Sequence, residues 1–216
     1  MSFPKESWHK EVVPNFAWGV LNELNAISIL SKFYLAGGTG LALIHGHRRS
    51  YDFDFFSTDL FNEEILLQEI KKLNNVTIIS KDRHTLHIEL KGIKVSFLGY
   101  TYPLLFQTKE FLLESGSTLR IADERDIACM KISAISSRGT KRDFIDLFII
   151  AQQYGLQELL EFFDNKFSQA PYNKIHVLKS LTYFPDAELE PMPDMLVSVS
   201  WDSVKQFFTS EALKFL

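Results

Sequence analysis

Cysteine is almost missing from this chain. The one residue of that type, Cys129, excludes an internal disulfide and a zinc site of the cysteine type, and its neighbours Ala128 and Met130 mark it as a buried helix position. No apolar run approaches the roughly 20 residues that cross a bilayer, and the N-terminal stretch MSFPKESWHKEVV is too polar for a secretory signal. A cytoplasmic location and no membrane partner are the expectations that follow. Basic residues are not in excess: 23 Lys and Arg stand against 27 Asp and Glu, for a net charge of −4. A nucleic-acid partner would therefore have to be held by a local basic patch rather than by the overall field. Repeats and low-complexity tracts are absent too, which excludes solenoid and array architectures.

What the chain does contain is ordinary globular material, 46% hydrophobic and 23% charged, with an unusual 19 Phe. Its 216 residues suit one compact unit with a smaller part attached. Phe16 to Phe33 places Trp18, Leu21, Leu24, Ile27, Leu30 and Phe33 at three-residue steps, the spacing of an amphipathic helix. The apolar run Phe33 to Ala36, the pair Gly37-Gly38 and the stretch Leu41 to Ile44 read as strand, turn and helix, closed by Gly46. Tyr51 to Phe56 alternates acidic and aromatic residues and predicts a strand; Glu63 to Leu73 predicts a helix; Val76 to Ser80, Thr85 to Leu90 and Lys94 to Gly99 predict strands, the last two joined at Lys91-Gly92. Beyond Tyr100 the pattern reads as helical almost to the end, with helices at 123–137, 141–154, 156–167, 173–183 and 200–215. The expected organisation is an α/β core at residues 1–100 and a mainly helical part at 101–216 that completes a cleft.

Asp52 and Asp54 stand two apart on the predicted strand, so both carboxylates project from one face while Phe53 and Phe55 take the other. Two adjacent aspartates repel, and ionising both is favourable only with positive charge between them. Mg²⁺ meets that need, because it takes one or two carboxylates and completes its shell with water and phosphate oxygens. The same pattern is compatible with a solvated acidic strand face. Gly37-Gly38-Thr39 adds a turn at a helix start, whose unpaired N–H groups bind phosphate; glycine permits close approach, and Thr39 offers a hydroxyl to a phosphate or to the helix start. Taken alone, that turn reads equally as a simple capped turn. Together the two elements describe a triphosphate site.

The string YLAGGTGLALIHGHRRSYDFDFF resembles the signature of the AbiEii-type nucleotidyltransferases, toxins of bacterial toxin–antitoxin and phage-defence systems. A second block, Lys131 to Ala134 through Arg138 to Arg142-Asp143-Phe144-Ile145-Asp146-Leu147, resembles the family's later motif of a helix lysine and RDxxDL. The resemblance reaches from Tyr34 to Leu147. It implies a nucleotidyltransferase-fold mixed sheet with flanking helices, of the α/β or α+β class, followed by a helical part. It also implies phosphate contacts at Gly38 and Thr39, beside the Gly37 of the same turn, Mg²⁺ or Mn²⁺ on Asp52 and Asp54, a family serine at Ser50, triphosphate neutralisation by Lys131, and an active-site acid at Asp146 with Asp143 in support.

The remaining residues leave alternatives open. Arg48 and Arg49 could grip phosphate or an RNA backbone; Arg142 could bind phosphate or form an i,i+4 ion pair with Asp146; His45 and His47 read more readily as surface residues than as metal ligands. Many nucleotidyltransferases bear a third strand carboxylate, but Ser96 stands at the matching place here, with Glu89 a substitute and Asp146 the best candidate base. The resemblance implies NMP transfer from an NTP to an RNA end, transfer RNA among the candidates, or to a protein hydroxyl, and a cognate antitoxin as partner. The competing readings are a catalytically degenerate nucleotide-binding module and a metal-dependent phosphohydrolase.

Overall fold

A computed structural model describes residues 8–215; the first seven residues of the polar N-terminal stretch lie outside them. Seven strands form one mixed sheet: β1 (Tyr34–Ala36), β2 (Phe53–Ser57), β3 (Val76–Asp82), β4 (Thr85–Leu90), β5 (Ile93–Gly99), β6 (Lys109–Leu112) and β7 (Thr118–Ile121), in the order β3-β4-β5-β2-β1-β7-β6. β1 runs antiparallel to β2 and parallel to β7, and β2 runs parallel to β5. This is the mixed sheet with flanking helices that the resemblance implies.

Period-two alternation decides which side chains face where. In β2, Phe53 and Phe55 turn into a core built with α1 (Asn15–Asn25), α3 (Glu63–Ile70) and the inward residues of β4 and β5. The opposite face carries Tyr34 and Ala36 of β1, which pack in a second core beneath α4 (Glu124–Ser137), α5 (Lys141–Lys166) and α8 (Trp201–Ala212). Where that helical layer ends, the sheet face of β2, β5 and β4 is left partly uncovered. Cys129 is buried in the second core, where burial pushes its thiol up to about 12.

Local chemistry sets the helix starts. Asn62, Asp123 and Thr140 each accept a backbone N–H from the first turn of α3, α4 and α5 respectively. Gly155, at φ 75° and ψ 153°, breaks α5 at the point where the sequence predicts a gap between two helices. Two short helices, α6 (Lys174–Ser180) and α7 (Pro185–Glu188), lead to α8.

Three expectations are corrected. The predicted 16–33 helix is α1 followed by a separate 3₁₀ turn at Ser28–Lys32, because Asn25 and Ser28 favour local backbone turns over helix continuation. The region after Tyr100 is not helical from its start: β6 and β7 extend the sheet, with Leu35 of β1 pairing with Ile121 of β7. Asp52 lies just before β2 rather than on it. Among the described residues no helix is long and apolar enough to cross a membrane.

Candidate active site

The ends of β1 and β2 position the first half of the site. Ala36 pairs with Asp54, and α2 (Gly37–His45) begins at the next residue. Ala36 supplies no capping side chain, so the first N–H groups of α2 remain open to a ligand. Gly37 sits at φ +62°, and a Cβ there would lie 2.8 Å from Asp54 Oδ2; only glycine lets the helix start this close to the carboxylate. A Cβ at Gly38 would lie 2.2 Å from Nη2 of Arg48, whose guanidinium packs against the helix start.

Thr39 and Ser50 have internal duties. The Thr39 hydroxyl, 2% exposed, donates to the Asp52 carbonyl and lies 2.7 Å from Ser50 Oγ, whose own hydroxyl can donate to it. It neither caps α2 nor points to solvent; it ties α2 to the segment that carries Asp52. This corrects the expectation of a hydroxyl offered to phosphate or to the helix start.

Asp146 is the centre of a buried ionic cluster. Its carboxylate accepts both Nε and Nη2 of Arg48, at 2.7 and 2.8 Å, and lies 2.6 Å from Lys131 Nζ and 2.8 Å from His47 Nε2. Lys131 Nζ also donates to Asp143 at 2.9 Å, and Asp143 accepts in turn from Arg138 and Thr140. Burial alone would raise the Asp146 carboxyl, but Lys131 and Arg48 hold it well below the usual carboxylate range; Asp143 is lowered in the same way by Lys131 and Arg138. A fully buried carboxylate with four such contacts and a depressed pKa is a poor proton acceptor. The structure therefore gives Asp146 an organising place, not the place of a base, and ties Lys131 to two aspartates as well as to the cleft wall.

Asp52 and Asp54 contrast with these acids. Neither side chain has a hydrogen-bond or ion-pair partner among the described residues, although all the other acids around the cleft do. Burial and the neighbouring Asp54 raise the Asp52 carboxyl, partly offset by Lys94, Arg142 and Arg48. Two close carboxylates without a direct cation suit a hard divalent ion that fills its remaining positions with water and phosphate. His47 is 1% exposed and its Nε2 lies 2.8 Å from Asp146, so the expectation of a surface residue is corrected for this histidine: the fold buries it in the ionic cluster.

Two adjoining hollows share Gly38, Asp54, Lys131, Arg138 and Asp143. The larger, about 430 Å³, is lined by Phe56, Leu98, Tyr100 and Met130 together with His87, Ser96 and Ser133, a surface on which a planar base could lie. The smaller, about 190 Å³, is polar and gathers Arg48, Ser50, Asp52, Thr140 and Arg142. Arg142 is exposed there and has no ion pair with Asp146, which is occupied by Arg48. Arg49 is not part of this surface: its backbone and side chain bond to Asp194. Arg138 belongs to the second motif block with Lys131 and Arg142, whereas Thr140 and His87 were not singled out as ligand-facing residues by motif. Thr140 follows a glycine at a helix start, a readable cap signal, but His87 has no local signal at all.

The family described as "Nucleotidyl transferase AbiEii toxin, Type IV TA system" matches residues 20–214. An uncharacterized protein of Aquifex aeolicus (strain VF5) is 37% identical over 200 residues, 91% of this chain and 94% of that protein. Among solved structures, MenT4, a nucleotidyltransferase toxin of Mycobacterium tuberculosis H37Rv, superposes with a TM-score of 0.57 at 15% identity, covering 91% of this chain and 82% of that one. ANT(2'')-Ia, solved in complex with adenylyl-2''-tobramycin, superposes with a TM-score of 0.53 at 9% identity, covering 73% of this chain and all (100%) of that one. At these identities the two structures speak for the fold.

Proposed function

Because the chain belongs to the AbiEii family of nucleotidyl transferase toxins from type IV toxin–antitoxin systems, we propose that it transfers the NMP of an NTP to the terminal hydroxyl of an RNA, transfer RNA among the candidates. The observation that carries this reading is the unpartnered Asp52 and Asp54 pair at the junction of the two hollows, next to the open start of α2. Asp52 and Asp54 would hold Mg²⁺ or Mn²⁺, which when bound would neutralise phosphate charge and polarise the α-phosphoryl group.

The rest of the chemistry belongs to the chain. N–H groups of Gly38 and Thr39 at the start of α2, with the helix dipole behind them, bind phosphate oxygens. Arg48, Lys131, Arg138 and Arg142 place positive charge around the tail, while Asp143 and Asp146 fix the first three in position. The acceptor oxygen attacks the α-phosphorus, the bond to the β-phosphate oxygen breaks, and pyrophosphate leaves with the electron pair. Catalysis comes from in-line positioning and charge neutralisation. Lys94 and Arg142, exposed beside Asp52, give an RNA backbone local positive charge in a chain of net charge −4. The antitoxin implied by the family is the expected protein partner.

The test is incubation of the protein with total bacterial RNA, Mg²⁺ and each α-labelled NTP in turn, beside Asp54→Asn. Label on an RNA species from one NTP, absent with the variant, is the expected result. Label on protein, or none with any NTP, would overturn the RNA assignment.

A further inference from the structure

We propose that His87 is the proton acceptor for the attacking hydroxyl. The inference rests on the transferase reading above and concerns the group that stands in for the missing strand carboxylate. Strand register puts Ala36, Asp54, Ser96 and His87 in one row across β1, β2, β5 and β4. Side chains paired in this way share a face of the sheet, and Asp54, Ser96 and His87 all line the larger hollow. The position beside Asp54 is Ser96, whose alcohol does not accept a proton near neutral pH. One strand further along the same row is an imidazole.

The other titratable groups of that hollow are committed elsewhere. Asp54 belongs to the carboxylate pair, Asp143 is held low by burial-resistant pairing with Lys131 and Arg138, and Lys131 and Arg138 are held protonated by Asp143 and Asp146. Burial drives the Tyr100 hydroxyl upward. His87 is half-buried and neither of its ring nitrogens has a hydrogen-bond partner among the described residues. Histidine is also the side chain whose charge ordinarily changes near neutral pH. Glu89, the alternative acid on β4, pairs across to Lys94 and does not line the hollow.

In the reaction, the acceptor O–H proton passes to His87, the oxygen forms its bond to the α-phosphorus, and pyrophosphate leaves. The imidazolium then returns its proton to solvent. The titratable groups that share the hollow with His87 are Asp54 on β2, Tyr100 after β5, Lys131 on α4, Arg138 after it and Asp143 on α5; Glu89 lies on its own strand, and β5 and β3 pair the uncharged Ser96 and Ser80 with His87.

The experiment compares wild type, His87→Gln and Asp54→Asn in the labelled transfer reaction from pH 5.5 to 9 at saturating metal, with affinity for a non-transferable NTP analogue and the melting temperature measured alongside. A general base contributes about 100-fold or more. The expected result is a His87→Gln enzyme that melts and binds the analogue as wild type does, with kcat down about 100-fold and the wild-type loss of rate toward acid pH removed. Wild-type kcat with an unchanged profile in His87→Gln, while Asp54→Asn is inactive, would overturn the role of His87 and leave the transferase reading in place. Equal activity of Asp54→Asn and wild type would overturn both. A His87→Gln protein that melts early and loses analogue binding would also overturn it, assigning His87 a structural place.

Discussion

Replacing Asp146 by Asn keeps the shape of the side chain and removes the charge on which the cluster is centred. The carboxylate is fully buried and contacts Arg48 twice, Lys131 and His47. Its loss leaves Arg48, Lys131 and Arg138 facing Asp143 alone, with two of the three cations buried. Breaking a buried ion pair by removing one partner costs about 3–5 kcal/mol. For a chain of this size each kcal/mol shifts the melting temperature by about 2–4 °C, so a fall of about 6–20 °C follows.

Thermal unfolding followed by circular dichroism measures the effect. The pH dependence gives a second arm. The Asp146 pKa is lowered on folding, so its contribution is complete above the unfolded value of about 4 and is lost as pH falls through the folded value. The gap between wild type and Asp146→Asn should therefore be constant at neutral pH and close only in acid below about pH 4. A variant that melts within about 2 °C of wild type at pH 7 would refute the account of the cluster.

Gly38→Ala should be destabilised by about 1–3 kcal/mol and bind NTP more weakly, because its Cβ meets a guanidinium that Asp146 holds in place; calorimetry with an NTP checks the second part. Mg²⁺ at ten times its dissociation constant should stabilise wild type by about 1.4 kcal/mol, or about 3–6 °C, and leave Asp52→Asn and Asp54→Asn unmoved. Without metal, neither variant should melt below wild type, since each relieves repulsion between acids that have no partner.

The parts of the site that could be read from sequence are those whose meaning is contiguous. Gly37-Gly38 and the Asp52 and Asp54 pair lie within one short string, and β1, α2 and β2 bring them together with little help from elsewhere. Period two also separates Asp54 from Phe53 and Phe55 correctly, since one face of β2 is core and the other is cleft. Partners chosen by the tertiary fold were not readable. The carboxylate of Asp146 has Arg142 four residues away along α5, yet it takes Arg48, which the chain brings back from 98 residues earlier.

The place of Thr39 is set by the tertiary fold in the same way: its hydroxyl reaches Ser50 and the Asp52 carbonyl and holds α2 to the loop before β2, while Ser50 also lines the smaller hollow. His87 has meaning only through the register of three strands. β6 and β7 are four residues each, too short for a clear period, and the one available signal was the turn Glu114-Ser115-Gly116-Ser117, with Gly116 at φ 82°, between two apolar-alternating segments.

The proposed reaction moves an NMP and releases pyrophosphate. Following α-labelled and γ-labelled NTP in parallel reactions with total RNA tests it most directly. Transfer places the α-label on RNA and the γ-label in pyrophosphate in equal amounts, with both lost in Asp54→Asn. Release of orthophosphate or free NMP without labelled RNA would contradict it and point to hydrolysis.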